Sequence, residues 1–203
     1  MSAVIEEIQA AIAQAEEAEQ VHLALSFISM VDAAWPKSGL LEGELVTQSN
    51  TAVRQAIKNL KIARILVRSS KDPDVRRADF MAALKLLEVL SLAPEVTTMS
   101  REIPLATGLA SKLLSKLKEQ IADLSPVERV RLLACEARLS STLNPMRACE
   151  ALTRLAKEVM RFDSGLAQKL LLQVGVIGAA YYFHMAGEIP PPAPASEGNG
   201  PPI

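Results

Sequence analysis

Apolar residues recur at spacings of three and four along most of the chain, which is the period of one face of an α-helix. The clearest apolar face consists of Val53, Ala56, Leu60, Ala63 and Val67. Charged residues take the opposite side of the same segment. No segment alternates apolar and polar residues between turn dipeptides, as a half-buried strand would. The pattern therefore predicts an all-α protein with essentially no sheet.

Three prolines follow residues that commonly cap the start of a helix. Asp72-Pro73, Ser125-Pro126 and Asn144-Pro145 each place proline at the first helical position, where its missing N–H costs nothing. In the second of these, Glu128 stands three residues after Ser125 and completes a capping box. These signals predict that helices begin at residues 73, 126 and 145.

The apolar spacing and the capping residues together predict helices at about 3–19, 21–35, 46–69, 73–93, 104–124, 126–142, 145–162 and 164–186. The first two are alternatively one continuous helix, since no Gly or Pro interrupts the chain from Ser2 to Trp35. We expect an antiparallel bundle or a short solenoid of helical hairpins, with about six to eight helices.

The C-terminal part divides into an uncharged stretch, residues 170–187, and a Pro/Gly-rich tail, residues 188–203, predicted to be disordered. The eighteen uncharged residues would make roughly 27 Å of helix, close to the thickness of a bilayer. Gln173 and His184 would be costly in lipid. A buried terminal helix is therefore favoured over a single membrane span, and residues 1–169 are predicted to form the helical domain.

Small residues within this stretch would allow another helix to approach closely. Gly175 and Ala179 are one helical turn apart, and Gly178 lies on an adjacent face. In a bilayer these three residues would be helix-packing positions, and in a bundle they would serve close packing equally well.

Composition agrees with a helical core and indicates a compartment. Hydrophobic residues make up 49% of the chain but aromatic residues only 3%, so the core must be built from aliphatic side chains. Two cysteines are too few for a disulfide framework, which predicts an intracellular protein. If residues 170–187 span a membrane, the basic residues before them place the N-terminal domain on the cytosol-like side of an organelle membrane.

Charge is distributed unevenly over the first third of the chain. Met1 to Glu44 holds eight acidic residues against Lys37 alone, whereas Leu45 to Lys71 holds six basic residues and no acidic one. Five of the basic residues form one stripe of the predicted second helix, which we call the basic ridge: Arg54, Lys58, Lys61, Arg64 and Arg68.

Four interpretations of the basic ridge remain open. A solvated helix face, neutralised in part by the acidic first helix, is the favoured one. Anionic lipid head groups and an acidic partner subunit are the next two. Nucleic acid is the less favoured partner, because the ridge has no interleaved aromatic residues for base stacking.

The sequence offers little material for catalysis. Its only histidines are His22 and His184, both within apolar helical stretches, and no phosphate loop, nucleophile elbow or zinc spacing is present. Cys135 and Cys149 have small or apolar neighbours and are predicted to be buried and inert. We therefore predict no catalytic residue, no metal site and no cofactor.

The function predicted from the sequence is that of a non-catalytic structural or adaptor subunit in a larger protein assembly. Its partners would be other protein subunits, with membrane contact through the C-terminal helix as an addition. Two alternatives remain: a self-associating helical nucleoprotein or coat-like protein that covers nucleic acid phosphates, and a soluble peptide-binding adaptor of helical hairpins.

Overall fold

The computed structural model describes residues 3–34, 43–67, 70–92, 103–141 and 144–188. These ranges contain no strand, which confirms the all-α prediction. The described residues form seven α-helices: α1 (Ala3–Ala34), α2 (Gly43–Val67), α3 (Pro73–Ser91), α4 (Ile103–Lys118), α5 (Pro126–Ser141), α6 (Pro145–Val159) and α7 (Ser164–Glu188). The described helices pack as a helical bundle, as expected.

The first helix is continuous from Ala3 to Ala34, so the prediction of two helices was wrong and its one-helix alternative is confirmed. The reason is local. The stretch contains neither proline, which lacks a backbone N–H, nor glycine, whose flexible backbone disfavours a helix.

The three predicted helix starts are confirmed by their hydrogen bonds. The Asp72 carboxylate accepts from the backbone N–H of Asp74 at 2.9 Å, and Asn144 Oδ1 accepts from Met146 at the same distance. At the start of α5 the backbone N–H of Ser125 donates to Glu128 Oε2 at 2.9 Å, and Glu128 N–H donates back to Ser125 Oγ at 3.4 Å. This reciprocal pair is the predicted capping box.

Two helices end three or more residues before their predicted ends. The fourth helix stops at Lys118 rather than near 124, and a 3-10 turn, Ile121–Asp123, follows it. There the N–H of Asp123 bonds to the carbonyl of Gln120, three residues back, and so cannot continue the α-helical pattern. The sixth helix ends at Val159 instead of 162, where the N–H of Phe162 bonds to the carbonyl of Val159.

The main core lies around α3, which contacts α1, α2, α4 and α5. Every residue from Ala82 to Leu92 is buried. From α2 come the five residues of the predicted apolar face, Val53 to Val67, and all five are buried. The helical period therefore identified the core-facing side of α2 correctly.

A second, smaller apolar cluster joins the C-terminal helices to this core. Leu133, Leu155, Val159 and Ala167 are buried together, with Leu170 packed against them. Helix α5 belongs to both clusters, since Leu132 and Cys135 face the main core while Leu133 faces the second. Helices α6 and α7 are thus attached to the bundle through α5.

Residues 169 and 170, the predicted boundary of the helical domain, lie within the single helix α7. The division of the chain at this point stays a prediction. The Pro/Gly-rich tail lies outside the described residues, apart from Glu188 at the end of α7.

Candidate functional site

The structure separates the residues of the basic ridge. Arg54, Lys58 and Lys61 are exposed on α2. Arg64 is half-buried and turns toward α3, where its Nε donates to Asp79 Oδ1 at 2.8 Å. Arg68 lies outside the described residues. The ridge therefore remains a candidate surface at Arg54, Lys58 and Lys61, while Arg64 belongs to a different site.

That site is a cleft between α2, α3 and α4, which we call the cationic cleft. Its volume is about 660 Å³, within the range of ligand-binding pockets. The described residues that line it include four cations and one carboxylate: Arg64, Arg76, Lys112, Lys116 and Asp79. Because the ion pair of Arg64 with Asp79 is internal, three cations remain to face solvent.

The floor of the cationic cleft is apolar. Val67, Leu113 and Leu117 are buried there, and Phe80 is partly buried beside them. The guanidinium of Arg77 lies over the Phe80 ring, with 5.4 Å between the guanidinium carbon and the ring centroid. That ring face is therefore already occupied by a cation.

Buried charges between α1, α3 and α5 form a network that the sequence analysis did not predict. Lys85 Nζ lies 2.7 Å from Glu88 Oε2 and 3.0 Å from Glu19 Oε2. Arg131 binds the Glu88 carboxylate with two hydrogen bonds, of 2.6 and 2.9 Å. Lys85 and Glu88 are both buried, and a neighbouring helix helps to balance each charge. Glu19 of α1 pairs with Lys85, and Arg131 of α5 pairs with Glu88.

The pKa values in this network favour the charged forms. Burial alone would raise the pKa of Glu88, but hydrogen bonds from Arg131 and Lys85, with their charges, hold it below its ordinary value of 4.5. Burial alone would lower the pKa of Lys85, but Glu88 and Glu19 raise it above 10.5. A carboxylate and an ammonium held this firmly in their charged forms are poorly suited to transfer protons near neutral pH.

A second buried carboxylate, Glu136, connects α4, α5 and α6. Its Oε1 accepts from Lys118 Nζ at 2.9 Å and from Arg154 Nη2 at 2.7 Å. These ion pairs could not be predicted from local spacing in the sequence, since Lys118 and Arg154 each lie 18 residues from Glu136. Only the packing of three helices brings the charges together.

The cysteines and histidines show no convergent arrangement in the described part of the chain. Cys135 is buried as predicted, and burial, mainly, raises the pKa of its thiol to about 12. Cys149 is only half-buried, and its Sγ donates to the carbonyl of Val174 at 3.7 Å. His22 is buried, with its Nε2 3.5 Å from Ser26 Oγ. The side chain of His184 lies outside the described residues.

No group of three or more His, Cys, Asp or Glu side chains among the described residues is placed to hold a metal ion. The predictions that the chain has no metal site, no cofactor and no catalytic residue stay predictions. In the two buried networks, Lys85, Glu88 and Glu136 Oε1 are paired with opposite charges, whereas Glu136 Oε2 has no hydrogen-bond partner among the described residues.

Helix α7 packs on α6 along one side and exposes apolar residues along the other. Ala167, Leu170 and Val174 lie on the packed side. The exposed side, which we call the outer face of α7, consists of Leu171, Leu172, Gly175, Val176, Ala179 and Tyr182. These residues recur at spacings of three and four, so they form one continuous stripe.

The predicted helix-packing residues lie on or beside this stripe. Gly175 and Ala179 are exposed, and Gly178 is half-buried. A methyl group added at Gly175 or Gly178 would meet no atom of the described chain within 4 Å. Among the described residues, no helix has both the length and the apolar character required to cross a membrane.

Three cations of the cationic cleft were not predicted from the sequence: Arg76, Lys112 and Lys116. The spacing of four between the two lysines on α4 was a usable signal, because it puts both on one helix face. What the sequence could not show is that this face meets Arg64 of α2 and Arg76 of α3.

No protein-family model, curated protein or solved structure matches this chain. Any function therefore has to be argued from the surfaces and interior described above.

Proposed function

We propose that this protein is a non-catalytic structural or adaptor subunit that joins a larger protein assembly through the outer face of α7. The observation that carries the proposal is the exposure of large apolar side chains on one helical stripe. Leu172, Val176 and Tyr182 are 70%, 63% and 67% exposed. A contiguous apolar patch of this kind is costly in water and is typical of an interaction site.

The shape of the outer face suits a partner helix. Gly175 and Ala179 lie in the middle of the stripe, and Leu172 and Val176 flank them. Small residues between larger apolar ones let a second helix approach closely and pack against the flanking side chains. No formal charge lies within residues 170–187, so a partner would not have to bury one there.

The interior supports a structural role over a catalytic one. Its buried charges are engaged in pairs that join helices, as in the contacts of Lys85 with Glu19 and of Glu88 with Arg131. Its buried thiol, Cys135, has a pKa too high for a nucleophile at neutral pH. We also propose an intracellular location, which the free cysteines support.

Nucleic acid is less well supported as the partner. The basic ridge is interrupted at Arg64, whose guanidinium is engaged by Asp79. Arg54, Lys58 and Lys61 remain exposed, but three cations without an aromatic residue on α2 offer few phosphate contacts and no stacking. We therefore propose a protein assembly rather than a nucleoprotein.

The proposal is tested with the epitope-tagged full-length chain expressed in its native cells. We expect it to migrate in native extracts well above its own mass of 21.9 kDa. The double substitution Leu172→Asp and Val176→Asp should shift it to the mass of the free chain. Because both positions are exposed, the purified variant should keep the urea midpoint of the wild type.

The matched control places two aspartates on another exposed side of the same helix, through Gln173→Asp and Ala180→Asp. This variant should remain in the large complex. A wild-type chain that migrates at its own mass, or two double variants that behave alike, would contradict the proposal.

A further inference from the structure

We propose that the cationic cleft between α2, α3 and α4 binds an acidic peptide segment of a partner protein, with carboxylates at its rim and an apolar side chain on its floor. The inference goes beyond the proposed assembly role, because the cleft shares no residue with the outer face of α7. Either proposal can fail while the other stands.

The cationic cleft keeps a positive charge once its internal ion pair is formed. Arg64 and Asp79 neutralise each other at 2.8 Å. Lys112 and Lys116 are exposed, and neither has an ion-pair partner among the described residues. Arg76 is also exposed, and its Nε lies at 3.5 Å from the carbonyl oxygen of Ser70. Three cations therefore face one opening, which favours an anionic ligand.

The spacing of these cations matches carboxylates that are carried on a peptide. Lys112 and Lys116 are one turn apart on α4, so their Cβ atoms are about 6 Å apart. Arg76 approaches from α3, on another wall of the cleft. Two carboxylates one helical turn apart on a peptide would match the lysine pair, and a third would meet Arg76. A single small anion would engage only part of this arrangement.

The floor of the cationic cleft can bury an apolar side chain of the ligand. Val67, Leu113 and Leu117 line the cleft beneath the charged rim. Burial of an apolar side chain on this floor would contribute binding that a purely anionic ligand cannot obtain. The cleft volume of about 660 Å³ is large enough for several side chains. The chemistry of the site therefore matches a segment that carries both acidic and apolar residues.

Nucleic acid satisfies only the charged part of this site. Its phosphates would meet the lysines, but its bases would need an aromatic face on which to stack. Phe80 is the aromatic residue lining the cleft among those described, and the Arg77 guanidinium lies 5.4 Å from its centroid. We therefore assign the cleft to a peptide, and binding of an oligonucleotide becomes an outcome of the test.

The probe is a displayed library of random peptides of about 12 residues, selected on the full-length protein. Enriched sequences are then synthesised with a fluorescent label, and their dissociation constants are measured by fluorescence anisotropy. We expect enrichment of peptides that combine Asp or Glu with Leu, Ile or Phe. Replacing the acidic residues by their amides, or the apolar residues by Ser, should each weaken binding.

Two protein variants with the same loss of charge decide where the peptide binds. Lys112→Gln with Lys116→Gln should weaken binding about tenfold. Lys58→Gln with Lys61→Gln, on the exposed face of α2, should change it by less than about twofold, as expected from screening alone. All four positions are exposed, and a urea midpoint for each variant checks that the fold is retained.

Three results would overturn the proposal. The first is a selection that enriches nothing, or that enriches peptides without acidic residues. The second is equal weakening by the two double variants, which would mean general attraction to the whole surface. The third is tighter binding of a labelled thymidine oligonucleotide than of the peptides, with the same dependence on Lys112 and Lys116.

Discussion

Glu88 and Lys85 of α3 together connect this helix to α5 and α1. The Glu88 carboxylate accepts two hydrogen bonds from Arg131 of α5 and lies 2.7 Å from Lys85, which reaches Glu19 of α1. Removing this negative charge would leave two cations with one fewer partner in a buried setting. We expect Glu88→Gln to lower the free energy of unfolding by about 3 kcal/mol, measured by urea denaturation.

The matched control for Glu88→Gln is Glu119→Gln, the same substitution at an exposed residue after α4. It should change the free energy of unfolding by less than about 0.5 kcal/mol. If the two substitutions cost the same, the buried network does not stabilise the fold in the way its geometry implies.

The difference in unfolding free energy between wild type and Glu88→Gln should also depend on pH, with a sign that follows from the pKa of Glu88. In the folded protein that pKa lies below its ordinary value of 4.5, despite burial, because Arg131 and Lys85 hold the carboxylate in its charged form. Its contribution is therefore complete above pH 4.5 and is lost as the pH falls through the folded pKa. The difference in unfolding free energy between wild type and Glu88→Gln should shrink below pH 4.5.

Urea midpoints taken at a series of pH values would measure this difference. Glu128 also has a pKa below its ordinary value: burial opposes the shift, but hydrogen bonds from Ser125 and the charge of Arg77 exceed it. Because Glu128 titrates in both wild type and Glu88→Gln, its effect cancels when their unfolding free energies are subtracted. A difference that grows as the solution becomes more acidic would mean that the fold raises the pKa of Glu88.

At the scale of helices, the start of α5 is defined by the reciprocal hydrogen bonds of Ser125 and Glu128. Alanine at position 125 would keep the backbone N–H that donates to the Glu128 carboxylate. It would remove the hydroxyl oxygen that accepts from the backbone N–H of Glu128. We expect Ser125→Ala to cost about 1 kcal/mol, measured from the urea midpoint. Ser115→Ala, at an exposed position inside α4, should be neutral or slightly stabilising. Equal losses would contradict a capping role.

Helices were predictable wherever their residues determine them locally. The N-caps at Asp72, Ser125 and Asn144 and the buried side of α2 follow from neighbours within four residues, and the structure confirms each of them. The end of α4 was predicted too late because the 3-10 turn that ends it has no Gly or Pro to announce it.

The charged interior could not be predicted, for a physical reason. Lys85 and Glu88 interrupt an apolar run, and a sequence pattern assigns such residues to a solvated face. Their burial depends on Glu19 and Arg131, which lie 66 and 43 residues away. The cationic cleft depends likewise on the meeting of three helices. Local pattern therefore predicted the helices, and tertiary packing decided which charges converge.

At the scale of the whole molecule, two apolar clusters share one helix. Helix α5 presents Leu132 and Cys135 to the main core and Leu133 to the cluster of α6 and α7. Of the buried charges, the Glu88 network lies within the main core, where it joins α1, α3 and α5, whereas Glu136 of α5 contacts both α4 and α6. This arrangement implies that α6 and α7 can lose their structure while α1 to α3 keep theirs.

Ala167→Asp tests that independence. Ala167 is 0% exposed within the second cluster, so a carboxylate there would have to be buried without a partner or expose the cluster to water. We expect native-state hydrogen exchange to show amides of α6 and α7 losing about tenfold or more of their protection while those of α3 keep theirs. Gln168→Asp, at the exposed neighbouring position, should leave both groups unchanged. Equal loss of protection in α3 would mean that the two clusters unfold as one unit, in which case the outer face of α7 would be displayed only by the fully folded molecule.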